Sequence, residues 1–180
     1  TTTKIVTLVR DEIKLEEQAV SYLSKEVIDA SGKTRKLGYI HLPSFYSNAA
    51  SISDENMDDF RSATLDMEKA ISELKNDGVE GIVLDLRGNG GGLLNEAVDI
   101  VNIFVPRNEL VVQTKGKVAS KNTKHFTRSN PKDKEIPVAV MIDEYSASAS
   151  EIVSGALQDL DRAVVIGNRS FGKGLVQNIL

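Results

Sequence analysis

Apolar residues recur along this chain in two rhythms, and the switches between them mark out strands and helices. Lys4-Ile-Val-Thr-Leu-Val-Arg10 alternates with the period of a strand. Residues 11–36 are mixed and polar, with a turn predicted at Ser31-Gly32-Lys33. Leu37-Gly-Tyr-Ile-His-Leu42 is a short apolar strand closed by Pro43. Met57, Phe60, Thr64, Met67, Ile71 and Leu74 then recur at spacings of three and four, the single stripe of a long helix. Ser53 or Asp54 can cap its start, and Gly78 stands where a left-handed C-terminal residue is wanted. Gly81-Ile-Val-Leu-Asp-Leu-Arg87 is nearly continuous in apolar residues, as expected of a parallel strand buried on both faces. After the break at Gly88-Asn-Gly-Gly-Gly92, Leu94, Ala97, Val98, Val101 and Phe104 or Val105 mark a second helix. Leu110–Thr114 and Ile136–Ile142 predict strands. Ala149, Ile152, Val153, Ala156 and Leu157 predict a helix starting near Ser148, and Arg162–Gly167 another buried strand. Strands alternating with helices predict an α/β domain with a mainly parallel sheet. In such sheets sites gather beyond the carboxyl ends of strands, where Gly88–Gly92, Ser146–Ser150 and Gly167–Gly174 all fall.

Composition narrows the partners. The 180 residues, 41% of them hydrophobic, suit one domain with its own core. With 22 basic against 26 acidic residues the net charge is −4, which argues against nucleic acid as the main partner. The basic stretch Lys115–Lys134 also holds Ser, Asn, Thr and Pro, and reads as a solvated loop. The absence of cysteine excludes disulfides, cysteine catalysis and thiolate metal sites. No apolar run is long enough to predict a membrane span, and Thr1 opens no signal-peptide pattern. Both ends read as strands cut from a longer protein.

Three segments carry residues able to do chemistry. Gly88–Gly92 fails the dinucleotide fingerprint, because Leu93 takes its third glycine position. It reads either as a tight strand-to-helix turn or as an oxyanion hole, where backbone without side chains lets a carbonyl reach free N–H groups. In Tyr145-Ser-Ala-Ser-Ala-Ser-Glu151 a serine at a helix start is ordinarily a cap. Here the tract follows a buried strand directly, and Ser146 and Ser150 flank Ser148 at the positions where a sharp nucleophile turn needs small residues. Lys173 lies 25 residues after Ser148, between two glycines. A serine hydroxyl needs a base held against it, and a lysine kept neutral by burial can be that base. The alternative for Lys173 is a solvated charge or a phosphate-binding loop. Gly167-Asn-Arg-Ser-Phe-Gly-Lys-Gly174 matches that loop except at its last position, where Gly174 replaces the magnesium-binding Ser or Thr. His41 falls in a strand and His125 in the polar loop, and no pair has metal-motif spacing.

Asp85-Leu-Arg-Gly-Asn-Gly-Gly-Gly92, Tyr145–Ile152, Ala156-Leu-Gln-Asp159 and Ser170-Phe-Gly-Lys-Gly-Leu-Val-Gln177 resemble, in order, the motifs of the carboxyl-terminal processing peptidases, or tail-specific proteases. Gly38–Tyr46 is similar to the strand leading into that family's catalytic core. Residues 1–10 resemble the last strand of a PDZ domain, which leaves residues 11–180 as the core. The resemblance implies a crotonase-like α/β fold and a Ser-Lys dyad. Ser148 matches the nucleophile, Lys173 the general base, and Gln177 a residue that positions the lysine. The backbone of Gly91 or Gly92, with that of Ala149, matches the oxyanion hole, and Asp159 a position tied to activity in some members. It further implies no metal or cofactor, protein substrates with accessible C-terminal tails, and a periplasmic or cell-envelope setting if the source is bacterial. Oligomeric state stays open. Two other readings stand beside the peptidase: a catalytically silent crotonase-like binding or scaffold module, and a phosphate-loop nucleotidase.

Overall fold

A computed structural model of the chain describes residues 19–48, 60–117, 120 and 122–175. Its strands are β1 (Ser21–Ile28), β2 (Thr34–His41), β3 (Gly81–Asp85), β4 (Leu110–Thr114), β5 (Thr123–Phe126), β6 (Val138–Ile142) and β7 (Ala163–Gly167). Its helices are α1 (Ala63–Asn76), α2 (Leu94–Phe104) and α3 (Ala149–Asp159). Five strands form the main sheet in the order β1-β2-β3-β6-β7, and β4 pairs with β5 in a separate hairpin. β2, β3, β6 and β7 run parallel, and β1 joins the edge antiparallel. The α/β reading with a mainly parallel sheet is therefore what the chain adopts.

Each parallel crossover carries a helix, as parallel pairing requires. Along one face of the sheet Ile40, Ile82, Leu84, Val138 and Val140 are buried beneath the helical layer. Met67, Ile71 and Leu74 of α1, Ile100, Val101 and Phe104 of α2, and Val153 and Leu157 of α3 complete that core. Gly38 leaves room for Leu74, whose Cδ1 would lie 2.8 Å from a Cβ placed there.

The sequence reading departs from the structure in four places. Residues 11–36 hold a strand, β1, whose side chains are mostly exposed and carry no clean alternation. It exists through pairing with β2 and through a turn in which Asp29 Oδ1 accepts the N–H groups of Ser31 and Lys33. The stretch Lys115–Lys134 is not all loop, since it contains β5, a polar strand held by β4. α1 begins at Ala63 under the cap Ser62, whose Oγ accepts the Leu65 N–H at 3.3 Å. Ser53, Asp54 and Met57 lie outside the described residues, as do Lys4–Arg10. Finally, β7 is not buried. Val164 and Ile166 are 65% and 52% exposed, because β7 is the last strand of the described sheet and only its other face meets the helices.

Candidate active site

The carboxyl ends of β3, β6 and β7 lie side by side, with Asp85 paired to Met141 and Ile142 to Gly167. Each strand runs into one of the three segments singled out from the sequence. Glycine-rich residues 88–92 follow β3, the serine turn follows β6, and the lysine loop follows β7.

Ser148 sits at the N-cap of α3 with φ 56° and ψ −112°. A serine with positive φ is strained, and such strain persists only where the surroundings impose it. Those surroundings are a set of hydrogen bonds from the flanking serines. Ser146 Oγ donates to Leu86 O at 2.8 Å, Ser150 Oγ donates to Asn89 O at 2.9 Å, and the Ala147 N–H reaches Asn89 O at 3.0 Å. The small residues around Ser148 thus admit the turn and also sew it to the glycine segment. Asn89 is fully buried at the junction. Its Nδ2 donates to Leu42 O and its Oδ1 accepts the Gly91 N–H, both at 2.8 Å.

The glycines press directly on this turn. Gly91 has φ 109°, and a Cβ there would lie 2.8 Å from Ser148 Cβ and 2.9 Å from Ala147 O. Gly92 has φ 147°, and a Cβ there would meet Phe45 O at 2.3 Å. The Gly91 N–H is already engaged by Asn89. The N–H groups of Gly92 and Ala149 have no acceptor among the described residues.

Ser148, Lys173 and Asp159 line one cleft of about 430 Å³, together with Val111, Val112 and Ile152. No hydrogen bond joins Ser148 to Lys173 in the described structure. Lys173 is exposed rather than buried as its sequence context predicted. The physical reason is local: its flanking glycines offer no side chain to cover it, and Phe171 and Leu175 are themselves 67% and 76% exposed. Asp159 is exposed at the far end of α3. Gln177 lies outside the described residues. Neither histidine lines the cleft. His41 belongs to β2, and His125 Nε2 contacts Thr123 Oγ1 in the hairpin. Among the described residues no group of His, Cys, Asp or Glu is placed to hold a metal ion, and no helix is long and apolar enough to cross a membrane.

A residue the sequence reading passed over stands between the serine and the lysine. Glu151, in the first turn of α3, accepts the N–H groups of Ser148 and Lys173 on Oε2, and the Gly172 N–H and the Ser170 hydroxyl on Oε1. Burial works against its charge, but these four donors outweigh burial and hold the carboxyl below its ordinary range. The spacing Ser148-x-x-Glu151 was a readable signal of helix capping, though not of the contacts to the lysine loop.

Beside the glycines, Asp85 is buried and accepts Arg87 Nη2 at 2.7 Å, Arg87 Nε at 2.9 Å, the Arg87 N–H at 3.0 Å and Tyr39 OH at 2.5 Å. Burial raises its pKa, but Arg87 and Tyr39 overcome this and hold it down to about 2. The unfolded chain therefore takes up this proton first on acidification, and the stability Asp85 contributes is lost as pH falls from about 4 to about 2. Asp85→Asn should lower stability at neutral pH and flatten that acid slope in urea titrations. A slope unchanged from wild type would show that other carboxylates carry it.

A strand, a strained turn with serine at its apex and a helix, set over a parallel sheet, define the class: an α/β domain that presents a hydroxyl at the carboxyl edge of its sheet. Within that class the chain belongs to peptidase family S41, whose family model matches residues 36–180. It is 35% identical to the chloroplastic carboxyl-terminal-processing peptidase 3 of Arabidopsis thaliana, over 97% of this chain and 30% of that protein. It is 36% identical to the tail-specific protease of Haemophilus influenzae, over 97% of this chain and 22% of that one. Among solved structures, a photosystem II D1 C-terminal processing protease superposes with a TM-score of 0.71 at 31% identity, covering 88% of this chain and 38% of that chain. The chain thus spans well under half of each of these proteins. Membership of this family leaves the phosphate-loop reading without support. The loop's own shape agrees, since residues 168–175 open no helix.

Proposed function

We propose that the chain is the catalytic core of a serine endopeptidase working through a Ser148–Lys173 dyad. The observation that carries this reading is the strained Ser148 at the start of α3, sharing one cleft with Lys173. Lys173, in its unprotonated form, takes the hydroxyl proton as Ser148 Oγ attacks a peptide carbonyl. The N–H groups of Ala149 and Gly92, which have no acceptor among the described residues, receive the oxyanion, while the Gly91 N–H serves Asn89 instead. Lysine then protonates the leaving amine, and water opens the acyl-enzyme. Proton transfer needs Nζ within about 3 Å of Oγ. A change of rotamer in an exposed four-carbon side chain can deliver it, because its backbone already shares a carboxylate with Ser148. Gln177 is assigned to positioning the lysine and Asp159 to a supporting role.

The names of the relatives point to protein C-termini as substrates. We assign this chain protein substrates chosen by their tails, with Lys4–Arg10 as the end of a tail-binding PDZ domain and a cell-envelope setting in a bacterium. Full-length protein should cleave an unstructured substrate ending in apolar residues at least about tenfold faster than the same substrate ending in aspartates, a difference of roughly 1.4 kcal/mol. Equal rates on both would remove tail selection. Cleavage of neither would leave the silent scaffold as the reading.

A further inference from the structure

We propose that Glu151 is a positioning residue: its carboxylate ties the serine turn to the lysine loop and so sets the distance over which the proton moves. The inference rests on the dyad read above. The plainer account is a capping box, in which a glutamate at the third helical position accepts the N–H of the cap residue and does nothing else. That accounts for the bond from Ser148 N–H at 2.8 Å. It leaves unexplained the bonds from Ser170 Oγ at 2.8 Å, Gly172 N–H at 2.6 Å and Lys173 N–H at 2.9 Å. Those donors lie 19, 21 and 22 residues further along the chain. An ionised carboxylate has about four acceptor sites, and here they are filled by one donor from the serine turn and three from the lysine loop.

Among the described residues little besides these bonds holds the loop. Phe171, Gly172, Lys173, Gly174 and Leu175 are all exposed, so no apolar burial fixes their position. Among the described residues the loop's other attachments are the Phe171 N–H on Ser146 O at 3.0 Å and contacts of Asn168 near its base. Between Ser170 and Lys173, Glu151 supplies most of the restraint.

Glu151→Gln separates the two accounts. Glutamine serves in capping boxes as well as glutamate, so α3 and the fold stay. Its amide nitrogen, however, would confront N–H donors where a carboxylate oxygen received them, and at least one side of the clamp opens. Hydrogen exchange, measured in a Ser148→Ala background so that self-cleavage plays no part, should show the amides of Gly172 and Lys173 exchanging about tenfold faster or more. In otherwise wild-type full-length protein, kcat should fall about a hundredfold, the order expected for a reacting pair displaced by an ångström. KM should stay within about threefold, because Glu151 does not touch substrate. In a Lys173→Ala background the same substitution should subtract nothing further, since the two residues act through one step. Unchanged amide exchange, or an unchanged kcat in the single variant, would reduce Glu151 to a helix cap. If the wild type cleaves no substrate, the peptidase reading falls, and the exchange measurement still decides whether the clamp exists.

Discussion

Ser148→Ala should abolish cleavage by the full-length enzyme, with kcat/KM reduced by about 10⁴-fold or more, because removal of a nucleophile leaves only binding and the oxyanion contacts. The variant should fold normally. The strained turn is held by Ser146, Ser150 and Asn89, none of which the substitution touches. Lys173→Arg should be equally inactive, since a guanidinium keeps its proton and cannot accept one from serine. Lys173→Ala should bind substrate without turning it over. His41→Ala and His125→Ala should leave kcat/KM within about threefold of wild type, as neither residue lines the cleft. Loss of activity in either histidine variant, with the melting temperature unchanged, would replace the lysine by a histidine base. Substrate trapping by Ser148→Ala, read as co-elution with an uncleaved protein, would corroborate the assignment from the binding side.

Gly91→Ala should cost about a hundredfold or more in kcat while leaving the circular dichroism spectrum intact. The new methyl group would sit 2.8 Å from Ser148 Cβ and 2.9 Å from the Ala147 carbonyl, closer than carbon and oxygen normally approach. Backbone at φ 109° adds strain that an L side chain resists. Relief can come only by moving the nucleophile turn away from the glycine segment. An ångström at that place displaces Oγ relative to Lys173 and the Gly92 N–H together. The core beneath, built on Ile40, Leu84, Val140 and Leu157, is untouched. Activity near wild type in a folded Gly91→Ala protein would mean that the two segments do not meet in the working enzyme.

What the sequence disclosed follows from which forces leave local traces. α2 and α3 were legible because burial on one face writes a period into apolar residues, and β3 because burial on both faces writes an unbroken apolar run. β1 and β5 were not, because a strand that is exposed on both faces is held by pairing with a neighbour, and its residues need no pattern. The three segments of the candidate site were found from small residues, whose presence marks close approach of backbone. Asn89 and Glu151 escaped notice because their significance lies in partners distant along the chain: Leu42 lies 47 residues from Asn89, and Lys173 lies 22 from Glu151. A neutral lysine base called for burial of Lys173, which stands between two glycines. Those same glycines leave it uncovered, and its nearest carboxylate is supplied by α3 rather than by its own sequence neighbours.

The hydrogen bonds that hold the serine turn have a bearing on how the molecule comes into being. Ser146 and Ser150 reach back 60 and 61 residues to Leu86 and Asn89, contacts of high sequence separation that a folding chain makes only after closing large loops. A chain synthesised as far as α2 has its glycine segment but neither serine nor lysine. One that has reached α3 has the serine without the loop that follows β7. The serine turn and the lysine loop therefore meet only late, with the closing of the sheet, and a chain caught earlier holds the parts of the cleft without the cleft itself.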